Sequence, residues 1–341
     1  MRALVMDGPR MLHVEERPDP EPGPGQVRIQ VEAVGICGSD LHGLLGETGR
    51  RLPGTVMGHE IAGIVERSCE GGPDVGSRVA VLPVLSCGRC PPCLRGWTSQ
   101  CPHARVIGVD RELVGGYADL LCVPVENLVE MPARLSAETV ALVEPLAVGM
   151  HAVRAAGVQP GERVFIAGAG MIGVAALVVA LRDGASEVVV SELQAGRRAT
   201  AAALGATAVE PAAVGADQAV YVSGSGLFDK AIDAVGISAT LRACVAATAP
   251  GATVAVVGMG SPHVELDLFA LVRAERRIVG SYTYTVAHFQ EAARWLAQGE
   301  VSLEKLATRR VSFGDAPGAF LELASGLDPA TKAFFVPERA A

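Results

Sequence analysis

The feature that most constrains this chain is an unbroken run of apolar and glycine residues from Val164 to Leu181. A run of eighteen such residues is long enough to be a candidate membrane-spanning helix. Three glycines interrupt its first ten residues, however, and glycine is unfavourable inside a helix. We therefore interpret the run as a buried strand, a tight turn and a buried helix, and expect a cytoplasmic protein with no membrane partner.

Strand and helix patterns alternate through the region that surrounds this run. Alternation of this kind is typical of a parallel sheet with right-handed crossovers and helices on both faces. We therefore predict a doubly wound α/β domain over residues 148–284. The predicted strands are Val164–Ala167, Val188–Ser191, Lys230–Ala234, Thr253–Val257 and Ile278–Ser281, and the predicted helices are Met171–Arg182, Ala195–Leu204 and Ala239–Ala247.

The first 130 residues have a different residue pattern, which predicts an irregular, β-rich, barrel-like domain. Val27–Ala33 alternates apolar and polar residues, which is the pattern of a half-buried strand. Proline and glycine are dense around residues 18–25 and 71–76, which indicates frequent loops between short strands.

A long helix is predicted directly after this β-rich region. Ser136 is a suitable N-cap for a helix that reaches about Ala156, with a kink at Pro145. After the α/β region comes a further helix, Ala287–Ala297, followed by short strand-like runs. These would rejoin the β-rich domain, which we therefore predict to comprise residues 1–147 and 285–341.

The turn inside the central run has the spacing of a dinucleotide-binding loop. Gly168-Ala169-Gly170-Met171-Ile172-Gly173 fits G-x-G-x-x-G, follows a predicted strand and opens a predicted helix. The glycines permit the turn, the approach of a pyrophosphate and close helix packing, while the helix N-terminus attracts negative charge. Glu192 ends the next strand, where an acidic residue binds ribose hydroxyls and so favours NAD over NADP. Arg197 is the counter-indication, since an arginine accommodates a 2′-phosphate.

Four of the eight cysteines lie within fifteen residues and form a second motif. Their spacing, C-x2-C-x2-C-x7-C, suits a closed tetrahedral zinc site, although iron–sulfur clusters use similar short spacings. Zinc is the better interpretation because nothing else in the chain indicates electron transfer. We predict a structural zinc that stabilises this loop, with ligands Cys87, Cys90, Cys93 and Cys101.

A second, looser set of metal-ligand residue types lies upstream. Cys37 stands in Gly35-Ile36-Cys37-Gly38-Ser39-Asp40-Leu41-His42, and His59 stands in Gly58-His59-Glu60. With one carboxylate they would leave a coordination position for water or substrate, as catalytic zinc sites do. Taken singly, each residue could equally be structural: a buried cysteine, a core histidine or a surface glutamate.

Together, these motifs resemble the zinc-containing medium-chain alcohol dehydrogenases over essentially the full length of the chain. They occur in the order of that family, with Glu144-Pro145-Leu146-Ala147 between the four cysteines and the glycine turn. The Glu144 segment is most similar to the polyol (sorbitol-type), threonine and sugar-alcohol-phosphate branch. The resemblance implies a Rossmann domain beside a zinc-binding catalytic domain, and hydride transfer between a secondary alcohol and NAD.

The resemblance also implies two zinc ions per chain and names the ligands of the catalytic one. Cys37 and His59 would hold it, with Glu60 and Glu144 as the nearby carboxylates. Either glutamate could ligate directly while the other acts through water. Asp40 matches the carboxylate that orients the histidine ligand.

Further roles follow from the same resemblance. Ser39 and His42 match a relay that carries the proton of the alcohol to solvent. Relatives pair through the edge of the cofactor sheet, which implies a homodimer or homotetramer. The residues expected beside the nicotinamide are Val257, Met259 and Ser281.

The substrate is left open between polyols, sugar alcohols and cyclitols, with threonine or a phosphorylated sugar alcohol as alternatives. Gly43 replaces an aromatic residue of the sorbitol-type enzymes, and Thr283 replaces an arginine. Arg50 and Arg51 could bind an acidic or phosphorylated substrate, or could be solvated surface residues.

Charge and composition exclude other classes of protein. The chain has 29 basic and 37 acidic residues, a net charge of −8, which argues against nucleic-acid binding. Two rival functions are a zinc-free quinone reductase of the same superfamily and a catalytically inactive NAD-binding sensor. The intact ligand set argues against both.

Overall fold

The computed structural model describes residues 1–213, 227–303, 306, 308–326, 328 and 330–338. The N-terminal half contains strands β1 (Arg2–Gly8), β2 (Met11–Glu16), β3 (Gln26–Ile36), β4 (Thr55–Val56), β5 (Glu60–Arg67), β6 (Arg78–Val81), β7 (Val84–Leu85), β8 (Arg105–Val106), β9 (Leu120–Pro124) and β10 (Leu128–Met131), and helices α1 (Gly38–Leu44), α2 (Pro91–Leu94), α3 (Ala137–Ala141) and α4 (Val143–Ala156). The second half contains strands β11 (Arg163–Ala167), β12 (Glu187–Ser191), β13 (Thr207–Val209), β14 (Phe228–Asp233), β15 (Thr248–Val256), β16 (Arg277–Gly280), β17 (Thr308–Val311) and β18 (Lys332–Phe335), and helices α5 (Met171–Arg182), α6 (Ala195–Ala203), α7 (Ser238–Ala247), α8 (Leu268–Arg273), α9 (Val286–Gln298) and α10 (Ala316–Ala324).

The β-rich part is organised around one seven-stranded sheet. Its strand order is β10-β6-β5-β3-β18-β17, and β9 also pairs with β3. Strand β18 runs antiparallel to β3, with Phe334 opposite Gly35, so the tail of the chain returns to the N-terminal sheet. Smaller sheets of β2-β1-β4 and β7-β8 complete this part. The barrel-like, β-rich character predicted from the sequence is confirmed.

The α/β part is a six-stranded parallel sheet, which confirms the predicted fold class. Its strand order is β13-β12-β11-β14-β15-β16. Strands β12 and β13 extend the sheet on one side of β11, and strands β14 to β16 extend it on the other side. In open α/β sheets, ligands bind at the point where the order changes side in this way. The central strand β11 is buried along Val164–Ala167, as expected for a strand covered on both faces. Helices α4 and α5 pack closely because Gly149 has no side chain, and a Cβ there would lie 2.5 Å from the Ala175 Cβ.

The long helix predicted from Ser136 differs from the prediction at its proline. The Ser136 side chain does cap α3 by accepting a hydrogen bond from the Thr139 amide. The helical stretch then breaks at Leu142 and continues as α4, which begins at Val143. Pro145 consequently lies in the first turn of α4, where its missing N–H leaves no hydrogen bond unmade. The proline therefore produces two helices rather than one kinked helix.

The apolar run that raised the question of a membrane span is divided between β11 and α5. Within the described part of the chain, no helix combines the length and apolar character needed to cross a bilayer.

Candidate active site

The pairing of two antiparallel strands brings the first set of metal-ligand residues together. Cys37 directly follows β3, and His59 directly precedes β5. Gly35 of β3 lies opposite Glu60 of β5, so both residues emerge at the same end of the sheet. The ligand atoms of Cys37, His59 and Glu60 all lie within 4.8 Å of one another.

A glycine fixes the backbone just before the histidine. Gly58 has φ of +95°, and a Cβ there would lie 2.8 Å from the Tyr117 ring. Only glycine meets both requirements without strain. His59 is therefore delivered to the cluster by a turn that packs directly on Tyr117.

Asp40 is the buried centre of a network behind the histidine. One carboxylate oxygen lies 3.5 Å from His59 Nδ1 and accepts a hydrogen bond from Arg51 Nη2 at 2.6 Å. The other accepts one from the Tyr117 hydroxyl at 2.9 Å. Burial alone would raise the pKa of Asp40, but the charges of His59 and Arg51 hold that pKa well below its usual range. The ionised carboxylate faces Nδ1, which leaves Nε2 of the imidazole available to a metal.

Two buried glutamates approach the cluster in different environments. Glu60 Oε2 lies 2.5 Å from Lys332 Nζ, which also donates to the Ile36 carbonyl at 3.0 Å. Glu144, in the first turn of α4, has no ion pair within the described part of the chain and lines the cavity that contains Cys37. Burial raises the pKa of Glu144 to about 7; the positive charge of His59 opposes the rise.

These residues fit a catalytic zinc ion. A thiolate, an imidazole and a carboxylate are its usual protein ligands, with one position left for water or substrate. A buried carboxylate such as Glu144, which forms no ion pair in the described part of the chain, is stabilised by a divalent ion beside it. Glu60 lies closer to the pair formed by Cys37 and His59, but Lys332 already neutralises it.

We define the active-site cavity as the space of about 210 Å³ lined by Cys37, Ser39, His59, Glu144, Ile172 and Val257. Ser39 therefore lies beside the metal ligands, as the predicted relay requires. His42 lies one turn further along α1 with an exposed side chain, and its Nδ1 is 2.6 Å from Glu47 Oε2. The two positions are compatible with a proton path from the cavity to solvent.

The four-cysteine loop, residues 87–101, gathers its thiols into one cluster. All four sulfur atoms lie within 4.8 Å of one another, with Cys90 and Cys93 at 3.3 Å and Cys87 and Cys101 at 3.5 Å. Zinc–sulfur bonds of about 2.3 Å give tetrahedron edges of roughly 3.8 Å, which these separations approach. Backbone N–H groups of Arg89 and Cys90 donate to Cys87 and lower its pKa to about 6, which favours the thiolate ligand. The donor set fits a structural zinc.

The glycine turn between β11 and α5 has the geometry its spacing predicted. Gly168 has φ of +94°, and a Cβ on Gly173 would lie 1.9 Å from the Gly168 carbonyl oxygen. Gly170 caps α5, and no atom lies within 4 Å of the position that its Cβ would take. The turn therefore leaves open space at a helix N-terminus, which is where a pyrophosphate binds.

Glu192 and Arg197, the two residues predicted to decide between NAD and NADP, have different surroundings. The Glu192 carboxylate accepts hydrogen bonds of 2.8 Å from the amides of Ala169 and Gln194. Arg197 lines a cavity that also contains Gly170 and Ile172, and its Nε is buried without a hydrogen-bond partner among the described residues. A bound phosphate would supply the missing acceptor.

The residues predicted beside the nicotinamide lie in the active-site cavity. Val257, Met259 and Ser281 line it together with Ile172 of the glycine turn. The hydroxyls of Ser281 and Thr283 are buried and have no hydrogen-bond partner in the part of the chain that the structure describes. They are therefore available to a bound cofactor or substrate.

Sequence reasoning missed the role of three residues that support the ligands, although it had named Arg51 as a candidate substrate contact. Tyr117, Arg51 and Lys332 contact Asp40 or Glu60, yet none belongs to a motif. One local signal existed, because Gly43 leaves room for the Arg51 stem, and a Cβ on Gly43 would lie 2.3 Å from Arg51 Cγ. The glycine that departs from the sorbitol-type pattern is thus explained by the neighbouring arginine.

Comparison with known proteins extends this picture to the whole chain. The alcohol dehydrogenase GroES-like domain matches residues 23–133, and the zinc-binding dehydrogenase domain matches residues 172–298. L-Galactonate-5-dehydrogenase of Escherichia coli (strain K12) is 33% identical over 92% of each chain. D-Xylulose reductase A of Aspergillus oryzae is 31% identical over 95% of this chain and 94% of its own.

A solved structure is similar over the same extent. A Sinorhizobium meliloti 1021 protein, described as a zinc-binding dehydrogenase and bound to NADP, has 33% sequence identity and a TM-score of 0.88. The alignment covers 98% of this chain and 99% of that one. The similarity therefore belongs to the whole architecture and not to a single motif.

Proposed function

Because the chain belongs to the zinc-binding alcohol dehydrogenase family and is an oxidoreductase, we propose that it oxidises a secondary alcohol of a polyol or sugar derivative with NAD. In this reaction the alcohol and NAD⁺ give a ketone, NADH and one proton. The reverse reaction consumes the same proton.

The observation that carries this proposal is the shared cavity. Cys37, His59 and Glu144 line it, and so do Ile172 and Val257 of the cofactor domain. A substrate carbon held by the first group therefore lies next to a nicotinamide held by the second. Placement of this kind supplies much of the rate acceleration in hydride transfer, whose redox chemistry belongs to the cofactor.

The roles proposed for the protein residues follow from their positions. Bound zinc lowers the pKa of an alcohol and, in the reverse direction, polarises a ketone. Ser39 Oγ accepts the proton of the alcohol as its own hydroxyl proton leaves toward His42, which passes a proton to solvent from its exposed position on α1. Asp40 holds His59 in the tautomer that binds metal. Apolar side chains such as Val106 and Val109 keep the cavity dry.

Glu192 supports NAD as the cofactor. Its carboxylate is fixed by two backbone amides at the end of β12, so it cannot easily turn away from a 2′-phosphate. A 2′-phosphate beside this carboxylate would meet a like charge, which opposes NADP binding. The NADP bound by the Sinorhizobium protein makes the comparison of both cofactors a required part of the test.

The substrate class is supported by the relatives. The names of two of them, L-galactonate-5-dehydrogenase and D-xylulose reductase, refer to polyhydroxylated carbon chains. We propose that this chain acts on the same chemical class and that it carries two zinc ions, one at Cys37 and His59 and one in the four-cysteine loop.

A homodimer or homotetramer is supported by one apolar surface. Leu268, Phe269 and Val272 of α8 are 62–72% exposed, and Ile278 of β16 is 36% exposed. Strand β16 is an edge strand of the parallel sheet. An exposed apolar patch at an unpaired edge is a typical protein–protein interface.

The deciding experiment measures NAD and NADP reduction with a panel of alditols, with and without a zinc chelator. We expect activity that requires NAD, falls with chelation and is abolished in C37S. The matched control is C122S, because Cys122 is a half-buried thiol outside both metal clusters. Full activity in C37S, or NAD binding without turnover of any alcohol, would reject the proposed function.

A further inference from the structure

Two adjacent arginines at the active-site cavity have different surroundings. The Arg51 side chain is buried and pairs with Asp40 at 2.6 Å. Arg50 is exposed and also lines the active-site cavity. Its Nη1 donates to the Tyr282 hydroxyl at 3.2 Å. The sequence offered both arginines as candidates for binding an acidic substrate, and only the Arg50 side chain is accessible to such a substrate.

The positive charge of Arg50 has no carboxylate partner among the described residues. In the described part of the chain no acidic group forms an ion pair with its guanidinium, and Asp110 acts on it only at longer range. Asp110 is itself engaged, because it accepts a hydrogen bond from the Val106 amide. Arg50 therefore keeps both its charge and most of its N–H donors for a ligand.

The position of this charge in the cavity defines where a ligand would place an anion. The metal-ligand residues Cys37, His59 and Glu144 line the cavity, and Val106 and Val109 line it too. Arg50 and Tyr282 lie at its exposed rim. A substrate that reacts at the metal end would present its opposite end to Arg50.

The charge of the whole protein makes this local feature more significant. A net charge of −8 repels anions from the surface in general. Arg50, which forms no ion pair with the described residues, places a positive charge at the rim of a concave site in this acidic protein. Guanidinium groups bind carboxylates and phosphates through two parallel hydrogen bonds, which a neutral hydroxyl cannot match.

We propose that the substrate of this enzyme is an anionic polyhydroxy alcohol, whose carboxylate or phosphate group binds Arg50 while a secondary alcohol reacts at the metal end. Tyr282 holds the guanidinium over the cavity and is a positioning residue. The proposal rests on the proposed function and specifies its substrate.

The test compares substrates that share a carbon skeleton. Sorbitol, gluconate and sorbitol 6-phosphate form one neutral, one carboxylate and one phosphate arm, followed by the galacto and xylo series. We expect at least one anionic arm to have a higher kcat/KM than its neutral counterpart. In R50Q the ratio of anionic to neutral kcat/KM should fall about 10- to 100-fold, the loss expected for a charge-assisted hydrogen bond.

Three further variants test whether Arg50 acts by binding the anion. R50K should recover part of the ratio, because an ammonium keeps the charge but not the paired hydrogen bonds. Y282F should raise KM for the anion more than it lowers kcat. R242Q is the matched control: Arg242 is an exposed arginine of the cofactor domain, remote from the cavity, whose removal changes the net charge equally.

Binding is measured in parallel, so that the result does not depend on turnover. Calorimetry on the zinc-loaded protein saturated with NADH, which cannot accept a hydride from an alcohol, should detect the preferred anion, with clearly weaker binding in R50Q and unchanged binding in R242Q. Preference for neutral alditols in the wild type, or equal losses for neutral and anionic substrates in R50Q, would overturn the proposal while leaving the dehydrogenase function intact. An equal rise in the KM for NAD would likewise overturn it and identify Arg50 and Tyr282 as a contact between domains.

Discussion

Asp40 allows the sharpest quantitative prediction about stability. D40N preserves the shape of the side chain but removes the negative charge that faces Arg51 at 2.6 Å and His59 at 3.5 Å. Both Asp40 and the Arg51 side chain are buried, so the arginine is left as an uncompensated buried charge. Breaking such a pair costs about 3–5 kcal/mol, a large fraction of the roughly 5–15 kcal/mol that stabilises a typical protein.

The matched control is D119N. Asp119 also pairs with an arginine through two nitrogens, Nε and Nη2 of Arg2, but both side chains are about a quarter exposed. Solvent screens this pair, so D119N should cost no more than about 1 kcal/mol. The two variants make the same chemical change and differ mainly in burial.

Urea unfolding of the zinc-loaded proteins measures both effects. D40N should lower the free energy of unfolding by at least about 2 kcal/mol more than D119N. In the double variant D40N/R51M part of the loss should be recovered, because the unpaired charge is removed. A competition titration with a chelator should show catalytic zinc bound about 10- to 100-fold more weakly in D40N. If D40N and D119N were equally stable, the reasoning from the buried network would be wrong.

Three more outcomes are expected. G173A should lose NAD binding and melt at a lower temperature, because the added Cβ would lie 1.9 Å from the Gly168 carbonyl oxygen. G170A should keep its melting temperature, because the added Cβ would meet no neighbouring group within 4 Å. A stable G173A that binds NAD would contradict this reasoning. C93S should carry about one zinc ion fewer by elemental analysis and melt earlier with a disordered loop, and an unchanged zinc content would exclude the structural site. Burial lowers the pKa values of His151 and His288, whose Nδ1 atoms lie 3.0 Å apart. Because both imidazoles stay neutral in the folded state, their contribution to the free energy of unfolding should be fully present above pH about 6.5 and should be lost as the pH falls below it. When melting temperature is measured against pH, the decline should be shallower in H288Q.

The parts of the fold that the sequence predicts well are those whose residues are buried in a regular pattern. Helix α5 is predicted at Met171–Arg182 because the glycine turn marks its start and a continuous apolar run follows. Helix α8 is not predicted because the apolar side chains of Leu268 and Phe269 point to solvent, so no buried face produces a periodic pattern. Strand β13 spans only Thr207–Val209, too short to show an alternation.

The residues of the candidate site also fall into two groups, one that the sequence predicts and one that it does not. Its metal-ligand residues stand in short local motifs, where spacing and residue type carry the information. The residues that support them are ordinary in type, and the sheet brings them together from distant positions. Lys332 reaches Glu60 only because β18 pairs with β3, and Tyr117 reaches Asp40 across 77 residues of sequence. The sequence around a charged residue does not show whether its side chain is buried.

The return of β18 to β3 also has a consequence for the order in which the protein becomes active during synthesis. Lys332 lies 296 residues after Ile36, whose carbonyl it binds, and the parallel sheet is formed entirely by the chain between them. Residues 37–60 leave the ribosome early, but the buried Glu60 has no ion-pair partner among the described residues until β18 has been made. The intervening sheet domain folds as a unit and brings its two flanking segments close together. Completion of the metal site is thereby tied to completion of the cofactor domain, so a chain that is ready for a metal already has its NAD groove.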